Sequence, residues 1–480
     1  MQRSGVLFNP VGDLSAKSVI TCSPDDDVVS IAKIMLRENI SGVVVAKEGE
    51  PLGMVTGHDF RDIIASGDPG MLKNTARDIM SFPLVTLPAS AMAFEAFYLL
   101  VKHRIHKIVL TDDEGRMAGI VTDTDLMRTT TSSPLYLHKE IDAASTIGDL
   151  KEVNTKTVAM AEFARGRGAK VRELVRLVSH FNDAVTMKAI ELMEEKEGVT
   201  LPDNAAYMAL GSEGRGEQTL RTDQDSAIVY ADDATDADIK MAATFGERLV
   251  HNLVEIGVPP CPGNSMASNP KMRNSLSGWK HLLEKWITEP SSENMVDFGI
   301  FMDHRTIYGN PSFEREISGT MVELARRNSL FFPYAARNIL RFRNPLGWFN
   351  RFLVDKTGPD KGTLDIKKTG IFTVTEGVAI LGLEAGITEG TTWDKMETLR
   401  DEGIINDEEL DLLREAFTFL IGTRLWMQMR AIESGVKATT RVNPRHMPAH
   451  MTARLRQSFI EIEHFRKLLK DRYQVDFISR

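Results

Sequence analysis

Cysteine is scarce: the 480 residues contain two, Cys22 and Cys261. Two thiols build neither a disulfide framework nor a cysteine metal cluster. Long apolar runs are missing as well; none approaches the roughly 20 residues that a membrane helix needs. The opening stretch M-Q-R-S-G-V-L-F-N-P lacks the apolar core of a signal peptide. There is no surplus of basic charge, since 58 Lys and Arg face 67 Asp and Glu, for a net charge of -9. That balance argues against a nucleic-acid partner held by bulk electrostatics. The simplest expectation is a cytoplasmic protein with no membrane partner. A chain of 480 residues exceeds one hydrophobic core, so two to four domains are expected.

What is present begins with an internal repeat. Gly53-Met-Val-Thr-Gly-His-Asp59-Phe60 matches Gly119-Ile-Val-Thr-Asp-Thr-Asp125-Leu126, and upstream Ile40–Val45 matches Ile105–Leu110. A helical pattern precedes each copy: Ile31, Ile34 and Met35 in the first, Phe94, Phe97, Leu100 and Val101 in the second. Each copy reads as helix, short strand, glycine-bearing turn, strand, then a helix opening near the aspartate. Two such copies can bury against each other the apolar faces that neither covers alone. Residues 131–157, rich in Ser, Thr and Asp, read as a linker. Helical periodicity follows to about 197, with Val171, Leu174, Val175, Val178, Phe181 and Val185 in one stripe and a break at Gly166 and Gly168.

The densest chemistry lies in Leu210–Asp225, L-G-S-E-G-R-G-E-Q-T-L-R-T-D-Q-D. Ala205–Leu210 is a short apolar run, expected as a buried strand. Residues 213–220 suit a short helix, and a second strand is expected from about Asp223 into the apolar Ala227-Ile-Val-Tyr230. On a strand, residues two apart share a face, so Asp223 and Asp225 aim at one spot. Two like charges held together call for something positive between them, and hard oxygen ligands suit Mg2+ or Mn2+. Backbone amides after Gly211, the Ser212 hydroxyl and the Arg215 guanidinium would hold phosphates. Phosphate, metal and paired carboxylates together describe nucleotidyl transfer. A polar surface turn is the plain alternative. No Gly-Lys-Ser/Thr of a Walker loop is present, and the glycine spacing G-x-x-G-x-G is reversed from the dinucleotide fingerprint.

Two resemblances follow from these residues. The repeat over 13–130 resembles a tandem CBS (Bateman) module, a regulatory unit that binds adenine nucleotides between its repeats. It implies Thr56 and Thr122 as phosphate contacts and Asp59 and Asp125 as ribose contacts for AMP, ADP or ATP, with helix capping as the ordinary alternative. It also implies association into a homodimer. The pattern G-S, about ten residues, then D-x-D resembles the DNA polymerase β nucleotidyltransferase superfamily. The longer string G-S-x-G-R-G-E…T-D-Q-D, with Pro260–Gly263, Met266–Pro270 and Phe301-Met-Asp-His-Arg305, resembles a nucleotidyltransferase family of bacteria and archaea related to the uridylyltransferase of the PII signalling protein. The implied architecture is an α/β multidomain chain: CBS module (13–130), linker and helical connector (131–199), polymerase-β-like nucleotidyltransferase domain (200–315) and C-terminal helical bundle (325–480).

That resemblance implies an NTP donor, a protein or small-molecule acceptor, and a third acid beside Asp223 and Asp225. Asp303, at the end of the apolar Phe298–Met302 and expected on a strand, is the first candidate; Asp297 is the second. His304 reads as structural, and the acidic run Asp232–Asp238 as a solvated loop. Farther on, Asn406 and Glu409 have capping-box spacing. Leu410, Leu413, Phe417 and Leu420, and later Leu455, Phe459, Ile462 and Phe465, repeat at helical spacing. In the block Leu364–Gly370, Lys367 or Lys368 is placed to reach a phosphate, with a solvated lysine pair as the alternative. Three functional readings stay open: a CBS-regulated nucleotidyltransferase, a catalytically inactive nucleotide sensor acting through a partner, and a nucleotidyl hydrolase.

Overall fold

The structure, a computed structural model, describes residues 10–15, 19–103, 105–127, 134–166, 168–220 and 223–477. The signal-peptide question, the first residues of the expected linker (131–133) and Thr222 of the T-D-Q-D run lie outside them. Two units divide the chain: residues 1–137 with 163–169, and residues 138–162 with 170–480.

In the first unit, β1 (Thr21–Cys22), β2 (Gly42–Lys47) and β3 (Glu50–Thr56) form one sheet in that order, and β4 (Thr86–Pro88), β5 (Lys107–Thr111) and β6 (Met117–Thr122) form another. Both sheets pair their first two strands parallel and their last two antiparallel. The repeat in sequence is therefore a repeat in topology. Val43, Val44 and Val45 are all fully buried, which is why β2 reads as a continuous apolar run instead of alternating. Val44, Met54 and Val109 share one cluster across the two copies, and Lys107 Nζ donates to Ser41 Oγ at 2.8 Å. The helix α1 (Val28–Arg37) starts where the Asp27 carboxylate accepts from Ser30 N. Next along the chain, α2 (Gly57–Ser66) opens directly after β3.

The second unit departs from expectation at its entrance. The stretch read as a linker is helical over Pro134–Ala143 and Ile147–Gly166. Its Ser145 and Thr146 cap the second helix through Asp149, so the polar composition marks a helix start. The break near Gly168 is real, with φ of +91°. After it, α3 (Val171–Glu197) buries Leu174, Val175, Val178, Phe181 and Val185, the expected stripe.

A four-stranded sheet follows in the order β10-β7-β8-β9, built from β7 (Ala205–Ala209), β8 (Ser226–Tyr230), β9 (Arg273–Ser275) and β10 (Arg305–Gly309). β7 pairs antiparallel with both β8 and β10, and β8 pairs parallel with β9. Every residue of β7 is buried, so this strand sits at the centre. Between β7 and β8 stands the single-turn helix α4 (Gly211–Gly214); the helix expected over 213–220 ends at 214.

Phe298–Met302, expected as a strand, is the end of α5 (Ser292–Met302). Its Met295, Phe298, Phe301 and Met302 are spaced for one helical face, all buried in the core. Asp297 is exposed on that helix. The C-terminal part adds α6 (Phe372–Ala385), α7 (Thr392–Asp401), α8 (Asp407–Glu433) and α9 (Ala449–Arg472), with a two-stranded ribbon of β11 (Leu364–Asp365) and β12 (Arg441–Val442). Asn406 and Glu409 form the expected capping box of α8. A turn of π-helix, Lys367–Ile371, leads into α6. One hydrophobic core runs through sheet and helices alike, from Met208 and Val229 to Phe417 and Phe459.

Candidate functional site

The loop between β7 and β8 is shaped by two of its glycines. Gly211 has φ of +56°, and a Cβ there would sit 3.6 Å from Asp225 Oδ2. The backbone of Gly211 therefore faces that carboxylate, and Leu210 N donates to Asp225 O at 2.8 Å. Gly214 packs so closely that a Cβ would lie 1.9 Å from the Asp303 carbonyl oxygen. Arg305 Nη2 donates to Glu213 O at 2.9 Å and Nε to Gly214 O at 3.2 Å, while the same guanidinium holds Asp183 of α3 through two 3.0 Å bonds. Helix, loop and sheet edge are thus fixed to one another.

Asp223 and Asp225 stand just ahead of β8, which begins at Ser226. The segment is still extended, because Gln224 bridges Pro260, with its N–H donating to Pro259 O at 3.0 Å and its Nε2 to Val258 O at 3.1 Å. Gln224 is buried against that loop. Its two neighbours alternate to the other side, so the shared face expected from the sequence arises without β8 itself. Burial pushes the Asp225 carboxyl above its usual value; a hydrogen bond from the Cys261 thiol and the charge of Lys367 work against that, and the charge of Asp223 adds to it. Lys367 is held below the usual lysine range by the walls around it and by Arg424, while Asp223 and Asp225 pull it up. Two acids thus feel at least one nearby cation from the C-terminal part of the unit.

Asp303 and Arg215 differ from expectation. Asp303 follows α5 as its cap, and its carboxylate is buried. Arg215 Nη1 donates to Asp303 Oδ2 at 2.6 Å and Lys395 Nζ to Oδ1 at 2.7 Å. Burial alone would raise this carboxyl, yet the Lys395 and Arg215 charges hold it below the usual range. Arg215 also donates to Glu217 at 3.0 Å, and Glu217 accepts from the N–H of Thr392 at the start of α7. Both oxygens of Asp303 and two arms of Arg215 are therefore spent on one buried network. This network clips the glycine loop to α7. Asp303 is thus the counter-ion of Arg215 and Lys395, and Arg215 is a link between the loop and that acid.

His304 is buried, within hydrogen-bond reach of the Phe301 and Glu314 carbonyls and Ser318; burial holds its ring below the usual histidine range. This is the structural role expected of it. Glu213, next to Ser212, is buried too, and desolvation with the charges of Asp183 and Asp225 pushes it up to about 8.

In the first unit, Thr56 N and Oγ1 donate to Asp59 Oδ2 at 2.6 and 2.8 Å. Thr122 N and Oγ1 donate to Asp125 Oδ2 at 3.0 and 2.6 Å. Each pair caps the helix that follows its strand and leaves Oδ1 outside the box. A hollow of about 430 Å³ lined by Thr21, Cys22, Asp26, Lys47 and Met117 lies near the turn of the β2–β3 hairpin, opposite the Thr56 end.

Among the described residues no group of three or more His, Cys, Asp or Glu could hold a metal ion. Two carboxylates do not make a closed cage, but they suit magnesium that keeps waters and shares phosphate oxygens of a nucleotide. Sequence reasoning missed Lys395, Glu217, Cys261 and Arg424. Cys261 and Glu217 were within reach, since the first sits beside Pro260, opposite Gln224, and the second lies in the quoted stretch two residues after Arg215; Lys395 and Arg424 come from distant segments with no local signal.

Comparison with known proteins locates the parts. Residues 11–66 and 76–131 match the CBS domain model. Residues 155–293 match the family described as "Putative nucleotidyltransferase DUF294". Residues 329–473 match its "Putative nucleotidyltransferase substrate binding domain". An uncharacterised protein of Methanopyrus kandleri is 35% identical over 119 residues, 25% of this chain and 61% of that one. The inosine-5'-monophosphate dehydrogenase of Bifidobacterium longum is 35% identical over 128 residues, 26% of this chain and 21% of that one. The chain thus spans less than two thirds of either relative's length. Among solved structures, a CBS domain pair in complex with 5-methylthioadenosine and S-adenosyl-L-methionine is 26% identical, covering 25% of this chain and 96% of its own, with a TM-score of 0.23. No helix among the described residues is long and apolar enough to cross a membrane. By its matched domains the chain carries a CBS pair followed by a domain of the family described as putative nucleotidyltransferase DUF294 and a domain of the associated putative substrate-binding family.

Proposed function

We propose that this protein transfers a nucleoside monophosphate from an NTP to a protein or small-molecule acceptor, under control of adenine nucleotide at the CBS pair. The observation that carries the reading is the placement of Gly211 against the carboxylate of Asp225, with Asp223 two residues away on an extended segment. In the reaction an acceptor oxygen bonds to the α-phosphorus, the bond from that phosphorus to the bridging oxygen breaks, and pyrophosphate leaves with the electron pair. Asp223 and Asp225 would hold Mg2+ or Mn2+; when bound, the ion neutralises both carboxylates and offsets charge on the phosphates. Gly211 and Ser212 would lie along the phosphate chain. Asp59 and Asp125 would meet ribose hydroxyls through the oxygen that the cap leaves outside.

The commitment of Asp303 to Arg215 and Lys395 favours a second reading, a nucleotide sensor without transfer, because it removes the expected third acid. Offering each labelled NTP with magnesium to the protein in its native cell lysate tests between them. Transfer predicts a labelled acceptor and released pyrophosphate; a sensor predicts neither.

A further inference from the structure

Arg424 lies on α8, buried to 6% exposure, and its Nε has no hydrogen-bond partner. No carboxylate among the described residues lies within ion-pair distance of it. Burying a guanidinium nitrogen without a hydrogen-bond partner is costly, and Asp223 and Asp365 offset that cost only through their charges. Desolvation lowers it to about 10, while the charge of Asp223 favours its charged form. Asp223 and Asp365 are the acids whose charges reach it, and it bonds to neither.

Lys367 arrives at the same place from another element. The π-helical turn Lys367–Ile371 packs on α8 so closely that a Cβ on Gly370 would lie 2.4 Å from Leu420 Cδ1. Leu420 is one helical turn before Arg424. Asp365 Oδ1 fixes the turn by accepting from Lys367 N at 3.0 Å, Lys368 N at 3.1 Å and Thr440 Oγ1 at 2.9 Å. A π-turn of this kind is often found at functional sites. Lys367 feels both Arg424 and the two aspartates. Two cations held together from separate elements repel one another, and a bound anion would relieve that repulsion alongside the charges of Asp223, Asp225 and Asp365.

We propose that Arg424 and Lys367 form a polyphosphate-binding wall opposite Asp223 and Asp225, taking the β- and γ-phosphates of the donor and then the pyrophosphate product. The inference rests on the nucleotidyl-transfer reading for its location. In substance it assigns the second matched domain a part in holding the donor. When a cation neutralises the two acids, Arg424 and Lys367 lose their counter-charge and are left for the phosphate chain. A planar guanidinium suits two phosphate oxygens at once.

The test is calorimetric titration of the full chain with inorganic pyrophosphate and magnesium, alongside its melting curve. Arg424→Met should weaken pyrophosphate binding ten-fold or more while the melting temperature stays level or rises, because an unpartnered buried charge is removed. Lys367→Met should weaken binding to a lesser degree, and Arg424→Lys, which keeps the charge, should retain most of it. A purely structural Arg424 predicts the reverse: a lower melting temperature and unchanged binding. Pyrophosphate bound as tightly by Arg424→Met as by the parent would overturn the inference. That result would leave the transfer reading standing, since the latter is tested at Asp223 and Asp225.

Discussion

Replacing Asp303 by Asn keeps the size of the side chain but deletes the charge shared by Arg215 and Lys395. Removing one member of a buried ion pair leaves the others uncompensated and costs about 3–5 kcal/mol. Glu217 still neutralises Arg215 in part, through its 3.0 Å bond. Glu376 supplies a second compensation. Burial, then the charge of Asp303, pushes it up to about 8, so losing Asp303 lowers it and lets it ionise beside the same cations. The deficit should therefore be largest near pH 6 and shrink toward pH 9. In melting temperature the loss is on the order of 10 °C. Urea unfolding followed by tryptophan fluorescence reads this cleanly, because all five tryptophans, from Trp279 to Trp426, lie in the second unit. An Asn variant within about 1 kcal/mol of the parent that nevertheless loses pyrophosphate release would refute the reasoning. It would return Asp303 to the chemistry as the third acid.

Glu376 gives a pH prediction of its own. Its value rises from an ordinary 4.5 to about 8, so between those limits the native state holds more proton than the unfolded chain. Stability from this group is complete below about pH 4.5 and is lost as pH rises through 8. Glu376→Gln should flatten that fall in urea midpoints measured from pH 6 to 9, although Glu213, also about 8, keeps part of the slope. Gly214→Ala puts a methyl group 1.9 Å from the Asp303 carbonyl oxygen, backbone against backbone, so a loss of more than about 3 kcal/mol is expected. Parent-like melting of that variant would mean the loop moves freely from α5.

The repeat was legible because it is written twice, in strand length, glycine and Thr-x-x-Asp alike. The capping box at Asn406 and the stripe of α3 were legible for a similar reason: each is a local pattern with one period. The paired aspartates stand out by their spacing, although the strand expected from about Asp223 begins three residues later, at Ser226; an extended segment bridged by Gln224 gives the same alternation. Phe298–Met302 misled because a short apolar run has no period to separate a buried helix end from a strand. Asp303 accordingly follows a helix end and pairs with Arg215 and Lys395. Lys395, which bonds to Asp303, and Arg424, which feels the charge of Asp223, lie 92 and 201 residues away from them in sequence. No local rule connects such positions; only the packing of α7 and α8 onto the sheet domain does.

Release of pyrophosphate from NTP, measured with magnesium and native lysate for the parent and for Asp223→Asn/Asp225→Asn, tests the central claim most directly. Release by the parent should disappear in the double variant, with the urea midpoint of the second unit preserved. Equal release by parent and variant would contradict it.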